Sequence, residues 1–485
     1  MGEPVFSIML GGTKHHVVVS PSTAKSVFAF RGTSNSPLVN HVMEKVFGDS
    51  GTVLNMDSSD MHVLHQNIGN SLLGEPFVTE TTTATVRRIE RQTPNLVTFS
   101  PSIVDQLLWE RPSDIEMDPN SNQKVCEANL FALVRNFAAY ITTTGFFGQT
   151  LLEVFPNLLE DLWTLDSQFN ALSKGAPRWL PAKGISAAYA ARDRLLQVFA
   201  IFHEAFVAWD DGRDPGLDFR DLDDVSEPIK QRVRGLHNMG YSAAASAPAY
   251  LSLLWAMNGN TTNVIFWNLL RIYADPSLLE EIRKEISPYV KAFRPSREET
   301  GFPVDECAQL SMHSQGLLNS CPLLKASFYE CLRLDTAGFS FRQLSSDLTL
   351  FESSEDAATD GLENPRVYKV TKGKSVAVAH GAVQNDPRYF SNPSQYDPLR
   401  FITTDPDTNS KRAKLHTIRP FGGGVFGCKG RIIAEKENLA YVAAIVALWD
   451  IESIKGAQLE VPEHKSSPGS YLPKNDVRVR MRIRV

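Results

Sequence analysis

"FGGGVFGCKGR", residues 421–431, decides how the rest of the chain is understood, because its glycines and its cysteine point to different chemistries. Gly422, Gly424 and Gly427 spell G-x-G-x-x-G, a spacing that lets a backbone approach a dinucleotide pyrophosphate. Cys428 follows directly, with Phe421 seven residues before it and Gly430 two after it. A phosphate cradle needs a buried strand ahead of the glycines, a helix behind them and an acid about twenty residues on. A helical pattern, "GRIIAEKENLAYVAAIVALWDI", does follow, and Asp450 stands near the acid's place. The preceding "HTIRP" is a poor strand, with Pro420 at its end, and no strand–helix alternation surrounds it.

A metal-ligating thiolate asks for something else. It must be held deprotonated, which backbone N–H donors and a helix N-terminus favour. Cys428 lies in a glycine-rich loop just before a long helical pattern, so both supports are at hand. The glycines would let the backbone pass close to a flat cofactor, with Phe421 against its face. For this loop taken alone, a buried structural cysteine is the competing alternative.

Composition narrows the classes. The 485 residues are 42% hydrophobic and 21% charged, the balance of a globular protein with a large core. A net charge of −6, from 49 basic and 55 acidic residues, gives no support for nucleic-acid binding. The five cysteines, at 126, 307, 321, 331 and 428, form no C-x-x-C pair and no zinc spacing. Their odd count and scatter argue for a reducing environment. No secretory signal opens the chain. "YSAAASAPAYLSLLWAM", 241–257, reads as a buried helix and not as a membrane span, given its serines and Pro248.

The pattern along the chain predicts a fold that is mainly α with a smaller β part. "PVFSIML" and "HHVVVS" around "GGTK" read as a hairpin, and a helix opens near Ser22. From about 60 to 335 the texture is helical, as in "LFALVRNFAAYITTTGFFG" and "AARDRLLQVFAIFHEAFVAW". Asp275 and Pro276 open another helix as N-cap and first residue. After 340, "SDLTLFE", "RVYKV" and "KSVAVAH" read as strands around the polar loop "SSEDAATDGLENP". "TTDPDTNSKRAK" reads as a second polar insertion, and "VRVRMRIRV" as a closing strand. The β part should therefore draw on both ends of the chain.

F-x-x-G-x-x-x-C-x-G, here Phe421, Gly424, Cys428 and Gly430, resembles the heme-binding loop of the cytochrome P450 family. That family also carries E-x-x-R on an upstream helix, and "YECLR" supplies Glu330 and Arg333. The motif recurs at Glu280–Arg283 and Glu363–Arg366, where a surface ion pair is the simple explanation. Glu330 is singled out by order: "FSFRQL", "YDPLRF" and the cysteine loop follow it as in the family. By resemblance, Arg400 completes a buried Glu–Arg–Arg network that needs bidentate guanidinium pairing. The family's oxygen-side helix matches "WAMNGNTTNVIFW", 255–267. Gly259 would relax that helix, Thr261 or Thr262 would supply the hydroxyl, and Asn260 replaces the usual acid with an amide that cannot titrate. Asparagine there, "FW" six residues on and "LRLDTAGFSFR" resemble the branch holding bile-acid sterol hydroxylases and prostacyclin synthase.

The resemblance implies a cytochrome P450 fold over a single catalytic domain, 1–485, with the cofactor between the central helix and the Cys-loop helix. It implies heme b (iron protoporphyrin IX), with Cys428 as axial iron ligand. Arg342 would meet a propionate, the more so because Phe426 stands where an arginine is often found. Thr261 would handle protons, with Asn260 holding water or substrate. Met257, Asn258, Ala337, Gly338, Phe339, Phe341 and the loop near 54–73 would line the pocket. The implied activity is oxidation of an apolar polycyclic molecule (sterol, terpenoid or related lipid or secondary metabolite) with O2 and electrons from NADPH through NADPH–cytochrome P450 reductase. Lys429, Arg431 and "SKRAK" would form the docking face. The alternative within the family is an O2-independent rearrangement of the prostacyclin-synthase type; outside it stand a nicotinamide dehydrogenase and an idle heme binder. Relatives of this branch carry an N-terminal anchor. Its apparent absence before Gly2 suggests a trimmed chain, soluble and monomeric as given, from a parent on the cytosolic face of the endoplasmic reticulum membrane.

Overall fold

Strands distant in sequence pair at two edges of a helical body, and that pairing places the cysteine loop. The structure, a computed structural model, describes residues 3–10, 13–52, 56, 60, 73–118, 124–296, 307–456 and 458–485. A five-stranded sheet runs in the order Val5–Leu10, Thr13–Val18, Ser375–Ala379, Phe339–Leu344, Thr33–Ser34. A four-stranded sheet runs Trp449–Ser453, Arg478–Ile483, Val125–Asn129, Glu116–Met117. Both ends of the chain thus enter the β part. The two strands between 116 and 129 fall in a stretch whose pattern reads as helical. Arg478–Ile483 offers an edge to Val125–Asn129, where Cys126 stands opposite Met481, both fully buried, and Val125–Asn129 in turn pairs with Glu116–Met117.

The helices that matter here are α1 (Pro21–Ala29), α2 (Phe77–Gln92), α3 (Leu130–Phe147), α4 (Ile185–Asp210), α5 (Ala243–Asn258), α6 (Thr261–Tyr273), α7 (Pro322–Leu334) and α8 (Arg431–Leu448). α8 is buried on every side from Glu437 to Leu448, and α6 from Thr262 to Leu270, so both are core helices with no solvent stripe. α6 packs on α3, α7 and α8, while α8 also packs on α2. This group forms the larger core; α4, α5 and part of α3 enclose a second one.

Local chemistry sets the boundaries. Asp275 caps its helix as expected, accepting from the N–H groups of Ser277 and Leu278. α8 stops at Leu448, and Trp449–Asp450–Ile451 turns into a strand because Arg478–Ile483 pairs with it. The polar loop after 352 contains a short helix, Ser354–Thr359, capped by the Ser353 hydroxyl. The insertion after 401 is a hairpin, Ile402–Thr404 with Lys411–Ala413. Among the described residues, no helix is long and apolar enough to cross a membrane.

Candidate active site

Cys428 lies in the loop between a short helical turn, Gly424–Phe426, and α8. Its N–H donates to Phe421 O (2.9 Å), which pulls the loop into a tight ring. Cys428 is exposed as a residue, while protein packed around its sulfur desolvates the thiol. Burial pushes that thiol up, while the N–H groups of Gly430 and Arg431 and the charges of Arg431 and Lys429 pull it back. Gly430 leaves the sulfur uncrowded, since the nearest atom to a Cβ there is Cys428 Sγ itself, 3.9 Å away. Phe421 packs onto the larger core.

Gly424 has a different reason to be glycine. Its φ is +67°, and a Cβ would fall 2.3 Å from the Phe28 carbonyl oxygen on α1. A Cβ on Gly423 would meet the Phe28 ring at 2.6 Å. The loop is therefore glycine-rich on this side so that it can lie on α1.

The strand Phe339–Leu344 passes beside the loop, and its two-residue period sorts its side chains. Ser340 and Arg342 face the loop: a Cβ on Gly422 would lie 3.0 Å from Ser340 Oγ, and Arg342 stands over the Phe426 ring at 4.9 Å. Arg342 is only 6% exposed and donates to the carbonyls of Phe341 (2.8 Å) and Gly423 (3.4 Å). Among the described residues no carboxylate pairs with it, and burial lowers its pKa. Phe339 and Phe341 belong to the other face; they stack on each other, and Phe341 reaches across Ser375–Ala379 to His15, two strands away. They lie across the sheet from Arg342, the residue expected at a propionate. Sequence reasoning missed Phe28, Ser340 and His380. His380 Nε2 lies 2.9 Å from Ser340 Oγ, and its ring stacks on Phe28. No local motif marks these three residues.

The central segment is two helices. α5 ends at Asn258 and α6 starts at Thr261, so Gly259 and Asn260 form the break. Side chains meet the carbonyls there: Thr262 Oγ1 donates to Asn258 O (2.8 Å) and Asn263 Nδ2 to Gly259 O (2.9 Å). The Thr261 hydroxyl has no hydrogen-bond partner among the described residues, whereas the Thr262 hydroxyl is committed. Asn258 is fully buried and donates to Thr143 Oγ1 (3.3 Å), so it faces α3 and does not line open space. Met257 packs against the second core. Ala337 and Gly338 are half-buried beside the turn at Gly469, which accepts the Ala337 N–H (2.9 Å). Of the loop near 54–73, all but Met56, Asp60 and Leu73 lies outside the described residues.

Behind the cysteine loop, Glu330 and Arg333 are fully buried and form a two-pronged pair, Nε–Oε2 and Nη2–Oε1 both 2.7 Å. Arg400 Nε lies 3.3 Å from Glu330 Oε1, and the Asp397 N–H donates to the same oxygen (3.0 Å). Arg333 also donates to the carbonyls of Gln384, Pro393 and Gln395. The other two motif copies differ: Arg283 pairs with Asp450 (2.8 Å), and Arg366 with Glu352 (2.6 Å) and with Asp360. Asp450, the acid that a dinucleotide would need, is thereby taken up in ion pairs with Arg283 and Arg482.

The donor set fits heme. Among the described residues no three His, Cys, Asp or Glu side chains converge, so a metal on Cys428 must bring its other ligands with it. An exposed cysteine in a loop that also meets one buried guanidinium without a carboxylate matches a ring-bound iron with an anionic edge.

A family model described as cytochrome P450 matches residues 236–481. Among curated proteins, the chain is similar to cytochrome P450 monooxygenase poxD of Penicillium oxalicum, 24% identical over 73% of this chain and 63% of that protein. It is similar to prostacyclin synthase of Homo sapiens, 29% identical over 53% of this chain and 49% of that protein. It is also similar to 25-hydroxycholesterol 7-alpha-hydroxylase of Rattus norvegicus, 26% identical over 53% of this chain and 59% of that protein. The chain thus spans about half to just under two thirds of the length of these relatives.

Proposed function

The chain belongs to the cytochrome P450 family of monooxygenases, and from that premise we propose that it hydroxylates or otherwise oxidises an apolar polycyclic substrate, a sterol or terpenoid above all. The observation that carries this reading is the exposed Cys428 in a loop whose Gly423 carbonyl and Phe426 ring meet the buried, carboxylate-free Arg342. Cys428 would hold the heme iron, with the Gly430 and Arg431 N–H groups steadying its thiolate, and Arg342 would meet a propionate. Heme so bound supplies the activation of dioxygen that puts one oxygen atom into substrate, at the cost of two electrons from NADPH. The protein's own part is to exclude water, hold the apolar substrate and manage protons. Thr261, whose hydroxyl is uncommitted, is the group that handles a proton at Oγ1. Asn260 has its Oδ1 occupied by Ser470, so Nδ2 is the atom left to hold water or substrate. Gly338 and Ala337 would contribute wall, together with the Gly469–Ser470 turn beside them.

The sterol assignment leans on similarity to a 25-hydroxycholesterol hydroxylase. NADPH–cytochrome P450 reductase is the electron donor in this reading, docking where Lys429, Arg431, Lys411 and Arg412 are exposed. A single catalytic domain over 1–485, a monomer, and residence of the whole protein on the endoplasmic reticulum membrane complete the proposal. A second reading, rearrangement without O2, is favoured by similarity to prostacyclin synthase and by an amide at 260 that cannot titrate.

The carbon monoxide difference spectrum of the reduced protein is the first test. The thiolate-heme band in the wild type, and its loss in Cys428→Ser, are the expected outcome. Absence of any heme band from the folded wild type would overturn the proposal. Product formed only with NADPH, reductase and O2 separates oxidation from rearrangement.

A further inference from the structure

The break between α5 and α6 is closed by a turn from the C-terminal end of the chain. Ser470 lies between the short paired strands His464–Lys465 and Leu472–Pro473 and is 1% exposed. Its N–H donates to Asn260 Oδ1 at 2.9 Å. Its hydroxyl lies 3.1 Å from the same oxygen and 3.3 Å from Asn260 O, and it accepts from Asn263 Nδ2 at 3.2 Å. A backbone N–H can only donate, so the atom facing it is the amide oxygen, and the Asn260 side chain has one orientation. Gly469 has φ +90°, and a Cβ there would fall 2.5 Å from Asn260 Oδ1. Turn and amide are thus in direct contact, with no room between them.

The same turn is tied to the segment after α7. Gly469 O accepts the Ala337 N–H (2.9 Å), Asp335 O accepts the Tyr471 N–H (2.9 Å), and Thr336 pairs with Ser470 as an isolated bridge. Gly338 lies against Gly469, 3.9 Å from a built Cβ to its Cα. Further anchors sit beside the turn. Trp267 Nε1 donates to Tyr471 O (2.8 Å), and His464 and Arg271 both reach Asp335 Oδ1 (2.8 and 2.7 Å). The flanks of the turn are therefore held by α6 and the end of α7, whereas Ser470 itself meets the helix break through Asn260.

We propose that Asn260 is a positioning residue: its amide oxygen locks the Gly469–Ser470 turn into the helix break and so fixes the wall made by that turn with Ala337 and Gly338. That this wall faces substrate rests on the function proposed above; the lock itself does not. An acid at this position would be expected to relay protons. Here the acceptor is consumed by the turn, so the task of Oδ1 is geometric.

Backbone amide exchange at Ser470 and Tyr471 in the purified full chain tests the lock without reference to turnover. In Asn260→Leu, exchange at Ser470 rises on the order of fivefold, the factor matching a lost hydrogen bond of about 1 kcal/mol. Asn260→Asp keeps an acceptor for the Ser470 N–H, and its exchange stays near that of the wild type. Gly469→Ala forces the turn off the amide from the other side and reproduces the Leu pattern, which keeps the test usable if Asn260→Leu folds poorly. Equal exchange in Leu variant and wild type, or equal rises in the Leu and Asp variants, would overturn the proposal. With heme loaded, the released turn should also weaken the spectral shift induced by a rigid sterol more than that induced by imidazole, which needs no wall. A wild-type chain without the thiolate-heme band, but with the exchange pattern above, would remove the function and leave the lock.

Discussion

Three Glu-x-x-Arg pairs occur in the chain, and the structure separates them by what each arginine reaches. Arg333 meets its own motif partner, Glu330, with both side chains fully buried. Arg283 bypasses Glu280 for Asp450, and Arg366 bypasses Glu363 for Glu352. Burial decides the energetic outcome. Glu330→Gln leaves Arg333 and Arg400 without their carboxylate, and removing one partner of a buried pair costs about 3–5 kcal/mol. Glu280→Gln, at an exposed position, changes stability by less than about 0.5 kcal/mol. Urea unfolding of the two variants side by side measures the difference, and equal midpoints would show that the buried network carries no special weight. Sequence context was enough to single out Glu330, because the strand and the cysteine loop follow it in order. It could not reveal that Arg283 ties the helix opened by Pro276 to the C-terminal sheet through Asp450, since that pair joins residues 167 positions apart.

At the scale of elements, the cysteine loop and the strand beside it were partly legible. The spacing of Phe421, Gly424, Cys428 and Gly430 marks the loop, but spacing does not say what each glycine meets. Gly424 meets α1, nearly 400 residues earlier in the chain, whereas Gly430 meets only the sulfur. Gly424→Ala therefore combines a left-handed backbone with overlap on Phe28 O, and should destabilise the folded chain by about 1–2 kcal/mol or more. Gly430→Ala, at φ −80°, should leave the unloaded chain's melting temperature nearly unchanged. Thermal melts of the heme-free variants check this ranking; the reverse order would mean that the loop does not rest on α1. The strand Phe339–Leu344 teaches a complementary lesson. Its existence was readable, and its two-residue period already implied that Arg342 and Phe341 face opposite ways. Which face meets the loop became evident only with Ser340 and Arg342 placed against Gly422, Gly423 and Phe426. The helix break at Gly259–Asn260 was foreshadowed by the glycine. Its closure by Ser470 was not, because a turn 210 residues away supplies it.

Across the whole molecule, long-range pairing of chain ends around core helices leaves several ionisable groups far from water, and their signs set how stability varies with pH. Asp335 is pushed up by burial but held below the usual carboxylate range by His464 and Arg271. A depressed acid gives stability that is lost only as pH falls through its folded value, below the ordinary 3.8. Burial lowers His203 and His380 to about 4. A base depressed in this way makes the fold gain stability as pH rises toward its ordinary 6.5 and adds nothing above it. Glu437 acts in the opposite sense. It lies in the wholly buried part of α8, its Oε1 has no hydrogen-bond partner among the described residues, and burial pushes its carboxyl up to about 8. The folded chain then binds this proton more tightly than the unfolded chain, so stability falls as pH rises from the ordinary 4.5 toward about 8. Between pH 6.5 and 8 this slope stands without the acid and histidine contributions just described. Urea midpoints of the wild type should therefore drop across that interval, by an amount equivalent to about 1–2 kcal/mol. Glu437→Gln keeps the shape, removes the titrating proton and should flatten the profile, so that the variant overtakes the wild type by pH 8. Parallel profiles for the two proteins would mean that Glu437 is charged in the fold and that a polar partner reaches it inside the helical core.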